Sequence, residues 1–295
     1  MLKLIYVLVL VTLAPLVVQG QLTDRYAANL RGEVKSVRAR SIEYSGDRAE
    51  GPGFNEKQMD AVTFDAAGNE IERVTYNDFG ELMGKTVRTY EGRRRIESRM
   101  SDPRGALMRR DMYVYKVEPG KFDTNTVTQI ISYNAVGVVR QKTDLVYDER
   151  GWRKSESYSD ATRFFGETRY TRDDRGNIID QAYFTTDGTK AIAPVGPCFE
   201  AHRVAFRYNE DRRAIAKILY DTSGGVLKTW RYAYNEKGDL AEHVMDSSSA
   251  SSRTVYKYEY DPKGNWVKAV ISTEQLATSS PMKRTTVVTR EIVYF

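Results

Sequence analysis

The chain has 295 residues, 41% of them hydrophobic and 29% charged, and its 45 Lys and Arg against 40 Asp and Glu give a formal charge of +5. The signs are interspersed, so the protein is mildly basic and no polycation, and nucleic acid is not an expected partner. Its single cysteine, Cys198, excludes an internal disulfide, leaving packing and backbone hydrogen bonds to hold the fold.

Residues 1–20 carry Lys3, the apolar run Leu4 to Leu13, Pro15 and a small-residue exit at Val18-Gln19-Gly20. This is the layout of a secretory signal peptide. The apolar run is shorter than the roughly 20 residues of a spanning helix. Cleavage would leave residues 21–295 as an exported protein with no integral membrane span, in the periplasm or outside the cell. No cysteine follows the run to take a lipid anchor.

Residues 21–60 precede the first clear turn. Glu33 to Tyr44 alternates apolar and charged residues and predicts an opening strand, while the Gly-, Glu- and Pro-rich stretch Ser45 to Gln58 predicts a mobile loop. From 61 to 295 one phrase recurs. Tyr208-Asn209-Glu210-Asp211, Tyr234-Asn235-Glu236-Lys237-Gly238 and Tyr260-Asp261-Pro262-Lys263-Gly264-Asn265 are spaced 26 residues apart, and Tyr220-Asp221-Thr222-Ser223-Gly224 lies between the first two.

Asp or Asn opening the phrase accepts from a backbone amide two residues on, and glycine three residues later supplies a positive φ. The combination predicts a type I turn with a G1 bulge, joining antiparallel strands. Glycine fills the slot at Gly68, Gly80, Gly105, Gly137, Gly151, Gly176, Gly188, Gly224, Gly238 and Gly264. A residue with a Cβ there costs roughly 1 kcal/mol or more, which explains these glycines without a phosphate cradle. Arg212 occupies the slot once and predicts a looser turn.

Main turns begin at Phe64, Tyr90, Tyr115, Tyr147, Arg172, Tyr208, Tyr234 and Tyr260, with half-way turns between them. Two units are enlarged. Each half-unit leaves about 8 to 10 residues for a strand near 30 Å long. Trp230, Tyr232 and Tyr234 share one face against Thr229, Arg231 and Ala233, and Thr254, Tyr256, Tyr258 and Tyr260 share one against Val255, Lys257 and Glu259. Such alternation denotes antiparallel strands with unlike faces. The fold expected is therefore all-β, a single domain built as an antiparallel β-hairpin repeat array of 26-residue units, with about fifteen strands curled into a partial spiral or barrel-like sheet.

Phe64-Asp65-Ala66-Ala67-Gly68-Asn69, Asp173-Asp174-Arg175-Gly176-Asn177 and Tyr260 to Asn265 resemble the YD repeat of bacterial Rhs-type proteins. The ends, Leu30 to Val37 and Arg290 to Tyr294, look like those of short exported YD-repeat proteins. The resemblance implies a spiralling antiparallel sheet. In the large Rhs proteins that sheet encloses a toxic domain, but this chain has too few hairpins to do so and ends on a strand, Thr286 to Phe295. Only the scaffold carries over.

Catalytic signatures are sparse. His202 and His243 lack metal-ligand spacing, the turn carboxylates lack the density of a calcium loop, and Cys198 and the serines lie in no nucleophile motif. No catalytic residue, metal or cofactor is expected. The runs Arg93-Arg94-Arg95, Arg109-Arg110 and Arg212-Arg213 read as solvated strand faces. Two features stand out. The apolar insertion Ala191 to Phe199 could cover a sheet edge or the open side of the core, or offer a binding surface. The tyrosine rows pack as cross-strand neighbours, or, if wet, form a platform for sugars or peptides.

The expected function is a non-catalytic exported binding or scaffold protein of the bacterial envelope, its partner an envelope protein or glycan. The candidate binding residues are Trp230, Tyr232, Tyr256 and Tyr258, with Arg231 to engage an anion. The alternatives are an envelope-polysaccharide hydrolase or lyase using paired carboxylates about 5 to 10 Å apart, and a relic or accessory of an Rhs-like delivery system.

Overall fold

The computed structural model describes residues 23–46, 54–116, 126–193, 198, 200–276 and 282–295. The expected signal peptide lies outside these residues.

The turn phrase sets the architecture. At the first repeat the Gly68 amide donates to the Asp65 carbonyl (3.0 Å), the Asp65 amide to the Asn69 carbonyl (3.0 Å), and the Asn69 amide to the Asp65 carboxylate (2.9 Å). This is a type I turn closed by a bulge, and the strand register shifts by one between Thr63 and Phe64. The ten glycines of the phrase all have φ between 75° and 92°, and Arg212 takes the same left-handed conformation at φ 63°. Its backbone bonds match those of the glycine turns, with the Arg212 amide 3.0 Å from the Asn209 carbonyl.

The strands in chain order are β1 (Val34–Ser45), β2 (Phe54–Phe64), β3 (Glu70–Tyr76), β4 (Leu82–Glu91), β5 (Arg94–Ser101), β6 (Leu107–Tyr115), β7 (Val127–Asn134), β8 (Val139–Tyr147) and β9 (Arg153–Ser159). The second half continues with β10 (Phe164–Arg172), β11 (Ile178–Phe184), β12 (Arg203–Tyr208), β13 (Ala214–Tyr220), β14 (Val226–Tyr234), β15 (Leu240–Ser247), β16 (Ser251–Tyr260), β17 (Trp266–Gln275) and β18 (Lys283–Tyr294). Each pairs antiparallel with the next, and β18 returns to pair with β1 from Val34↔Tyr294 to Ser45↔Arg284.

The eighteen strands thus form one closed antiparallel barrel. This corrects the partial spiral and the count of about fifteen: closure satisfies the edge groups that an open array would expose. The opening strand does not stand apart from the array but seals it. The expected loop Ser45 to Gln58 is also shorter than the sequence suggested, because β2 begins at Phe54; residues 47–53 lie outside the described set.

A closed sheet has a concave and a convex face. Side chains converge and cover one another on the concave face and splay into solvent on the convex one. Tyr258 pairs with Ala269, Ala269 with Val288 and Val288 with Ser41, and the last three are 1%, 2% and 0% exposed. Lys257, Glu259, Arg231 and Arg253 on the other face are exposed. The tyrosine face is therefore the inner wall.

The outer wall is laced with cross-strand ion pairs, Arg231–Asp246 (2.7 Å), Arg253–Glu242 (2.7 Å), Lys268–Glu259 (2.8 Å) and Lys85–Glu72 (3.0 Å). Each contributes at most about 1 kcal/mol, but together they neutralise a charged exterior.

Three buried clusters thicken the wall. Ala39, Ala269, Ile271 and Val288 flank the seam, with Met59, Tyr256, Tyr258 and Trp266 against them. Val34, Val37 and Phe64 pack with Leu30, Ile292 and Tyr294. In the third, Ala193, Cys198 and Ala201 of the insertion between β11 and β12 pack on Tyr158, Tyr183, Val204 and Leu219. With no sheet edge to cover, the insertion covers inner wall instead; residues 194–197 and 199 lie outside the described set.

The mouth carrying the main turns is tied by the N-terminal segment. A short helix, α1 (Asp24–Ala27), is capped by Thr23. The Arg25 guanidinium donates to the Asp65 and Ala66 carbonyls (2.9 and 3.1 Å), and that of Arg31 to the carbonyls of Gly264 and Lys237 (both 2.8 Å). One strap thereby links turns distant in sequence.

Candidate binding site on the inner wall

The period of two along each strand and the antiparallel register bring the aromatic rows together. Tyr232 pairs with His243, and His243 with Thr254, two residues before Tyr256 on the same face. The result is a continuous row of rings across β14 to β17. Centroid separations are 6.4 Å for Tyr232–His243, 5.9 Å for His243–Tyr256, 6.2 Å for Tyr256–Tyr258 and 5.7 Å for Tyr258–Trp266. Tyr256 and Tyr258 lie parallel within 7°, as same-face neighbours on one strand do. All five rings are half-buried.

Hydrogen bonds fix the row. Tyr258 donates to the Leu240 carbonyl (2.7 Å), the Tyr256 hydroxyl lies 3.1 Å from His243 Nδ1, and Tyr260, at the mouth, donates to Asp239 (2.9 Å). Burial raises the Tyr256 phenol to about 12, raises those of Tyr232 and Tyr258 further, and lowers the His243 imidazole. The row is uncharged at neutral pH, because a low-dielectric wall disfavours the ionised form of each group.

Cations flank it. At the Trp266 end the Arg290 guanidinium lies 3.3 Å from the ring centroid. Two residues along β14 from Tyr232, Trp230 receives the ammonium groups of Lys217 (5.1 Å) and Lys228 (5.3 Å). Burial pushes Arg290 down to about 10 and also lowers Lys217. Cation–π attraction offsets part of that desolvation.

The structure thus brings together Trp230, Tyr232, Tyr256 and Tyr258 on one wall, and it separates Arg231 from them. Arg231 points outward and pairs with Asp246, because successive residues of a strand face opposite ways. The inward cations are Lys217, Lys228 and Arg290. Lys228 was legible from its two-residue offset to Trp230, but Arg290 is placed beside Trp266 only by the β17–β18 register.

Carboxylates elsewhere on this wall, and Asp24 of α1, are engaged. Glu70 accepts from Arg73 and Arg88, Asp24 from Tyr90 and Arg95, and Glu156 from Arg153 and Tyr158. The Arg93-Arg94-Arg95 run is accordingly not a uniform solvated face: Arg95 turns inward over the Tyr90 and Tyr113 rings. With Asp24, Asn69 and Arg93 these residues line a cavity of about 210 Å³ under the strap. Burial pushes the Cys198 thiol up to about 12, leaving negligible thiolate for nucleophilic chemistry at neutral pH. His202 binds the Tyr183 carbonyl (2.8 Å). Among the described residues no three His, Cys, Asp or Glu side chains are grouped to hold a metal ion, and no helix is long and apolar enough to cross a membrane.

No protein-family model matches this chain, and no curated protein does. Solved structures similar to it include a porin-like protein from Bacteroides uniformis (11% identity, 88% of this chain and 96% of that one, TM-score 0.44). A second porin-like protein, from Bacteroides vulgatus, has 11% identity over 89% of this chain and 98% of that one, with a TM-score of 0.27. A LolA superfamily protein from Nitrosomonas europaea has 10% identity over 89% of this chain and 86% of that one, with a TM-score of 0.21. At these TM-scores the likenesses are loose, and the function must be read from the inner wall itself.

Proposed function

We propose that this chain is an exported, non-catalytic binding protein of the bacterial envelope, and that its ligand is an extended molecule lying along the aromatic row. The observation that carries the reading is the row: five adjacent rings, uncharged and held in place, yet each only half-buried. Tyr183, on the same wall, is by contrast buried to 2% exposure. The turn phrase supports reading the chain as a short exported relative of YD-repeat proteins, and the signal-like segment at 1–20 supports export.

The outer wall argues for a barrel in water. Arg and Lys on the lipid face of a membrane barrel cost about 2–4 kcal/mol each near the midplane, and Arg231, Arg253 and Lys257 are exposed on that face here.

Tryptophan fluorescence provides the test. The chain has three tryptophans, Trp152, Trp230 and Trp266. In a Trp152→Phe variant both remaining reporters belong to this wall. Titration with soluble envelope polysaccharide and peptide fractions should shift their emission, and Tyr258→Ala should weaken the response. An unchanged emission with every fraction would sink the binding reading. Turnover of a fraction would favour the hydrolase, and recovery from the cytoplasm with residues 1–20 attached would refute export.

A further inference from the structure

The two walls treat their charges differently. On the outer wall Arg231, Arg253, Lys85, Lys268 and Arg203 each face a carboxylate across the sheet. On the inner wall between β13 and β18, Lys217, Lys228 and Arg290 make no ion pair or hydrogen bond to a carboxylate among the described residues; each lies over an indole. Asp239 favours the charge of Arg290 but is itself held by Tyr260 and Asn29. A half-buried cation without a directly paired carboxylate is costly, and the cost is recovered when an anion arrives. Elsewhere on the same wall the chain does supply counter-charges, as at Arg73 and Arg88 with Glu70.

The positions of the cations define the ligand. They stand at the two ends of the ring row, so one small anion could meet only one end. Between them the rings repeat every 5.7 to 6.4 Å, comparable with one sugar residue of a glycan chain, and they combine apolar ring surface with phenol hydroxyls and an imidazole. A pyranose presents the matching pattern, with C–H groups on its faces and hydroxyls at its rim. An acyl chain would instead call for a dry aliphatic channel. Arg290 offers a planar fork suited to a carboxylate, and the two lysines act as point charges. The described residues of the insertion, Ala193, Cys198 and Ala201, pack with Tyr158, Tyr183, Val204 and Leu219, and Trp230 packs against that cluster where the row's lysine end begins.

We propose that the ligand of the ring row is an acidic glycan, a chain of carboxylated pyranoses whose sugars stack on Tyr232, Tyr256, Tyr258 and Trp266 and whose carboxylates meet Arg290 at one end and Lys217 with Lys228 at the other. This rests on the binding function proposed above and names its substrate class.

The test is calorimetric titration of residues 21–295 with an oligogalacturonate and with a neutral gluco-oligosaccharide of the same length. The acidic chain should bind at least about tenfold more tightly, the margin expected of one charge-assisted contact, and should weaken as ionic strength rises. Lys228→Gln and Arg290→Gln should each remove about tenfold of that preference, while Arg231→Gln on the outer wall should leave it unchanged. Melting curves confirm that each variant is folded, and Arg290→Lys keeps the charge should Arg290→Gln fail to fold. Equal binding of the two oligosaccharides, or a preference insensitive to all the inner-wall variants, overturns the acidic-glycan assignment and leaves the ring row as a binding site. Binding of neither, with an emission shift on titration with a peptide fraction, overturns the glycan class and again leaves the site. Binding of neither, with no emission shift from any fraction, overturns both.

Discussion

Tyr234 donates its phenolic proton to the carbonyl oxygen of Ala214, 2.7 Å away and twenty residues earlier in the chain. The relationship recurs at the same offset in Tyr90–Glu70 (3.0 Å), Tyr115–Arg95 (3.0 Å) and Tyr147–Val127 (2.7 Å), and across 30 residues in Tyr208–Ile178 (2.8 Å), where the insertion lengthens the unit. The tyrosine that opens each of these five main turns is a strut from the end of one strand to the start of its neighbour. Tyr234→Phe removes one such bond and nothing else. It should cost about 1 kcal/mol and lower the melting temperature by about 2–4 °C, and an unchanged melting curve would count against the strut.

Glycines of two kinds should respond differently to alanine. At Gly105, φ is 85° and an added Cβ meets nothing within 4 Å, so Gly105→Ala should cost only the strain of a left-handed residue, roughly 1 kcal/mol. At Gly84, φ is 154° and a Cβ would run into the Ser101 carbonyl oxygen of the paired strand. Gly84→Ala should therefore be several times more destabilising in a urea titration. Equal midpoints for the two variants would contradict this account.

His243 gives the ring row a pH dependence. Burial lowers its pKa below the ordinary value of 6.5, so the folded state takes up the proton less readily than the unfolded chain. The stability linked to His243 is fully present above the unfolded pKa and is lost as pH falls through the folded one. Between pH 7.5 and pH 5 the wild-type protein should lose more stability than a His243→Gln variant does. Parallel losses would show that the imidazole is not responsible.

Cys198 reports on the insertion. It is fully buried and its thiol is raised to about 12, so iodoacetamide at pH 8 should leave the native protein unmodified and alkylate it promptly in guanidinium. Prompt labelling of the native protein would mean that the insertion leaves the inner wall.

Closure of the barrel is open to hydrogen exchange. Backbone amides of β1 and β18 should be as well protected as those of β16 and β17, since both strands are paired on both sides. Fast exchange confined to alternate amides of β1 or β18 would instead mark an open edge.

The repeat in the sequence determined the hairpins, because turn chemistry is local: an Asp or Asn, two intervening residues and a glycine contain the donors, the acceptor and the φ that a bulged turn requires. Two-fold alternation likewise separated Tyr256 and Tyr258 from Lys257, since side chains of a strand must face opposite ways. The pairing of β1 with β18 was decided only in three dimensions. It joins Val34 to Tyr294 across almost the whole described chain, and curvature and twist summed over all the hairpins bring those ends together. Closure in turn decided which face is concave, and so turned Arg231 outward while Arg290, distant in sequence, came to lie on Trp266. Local chemistry wrote the strands and their two faces; the global register chose the inner one and placed the cations beside its rings.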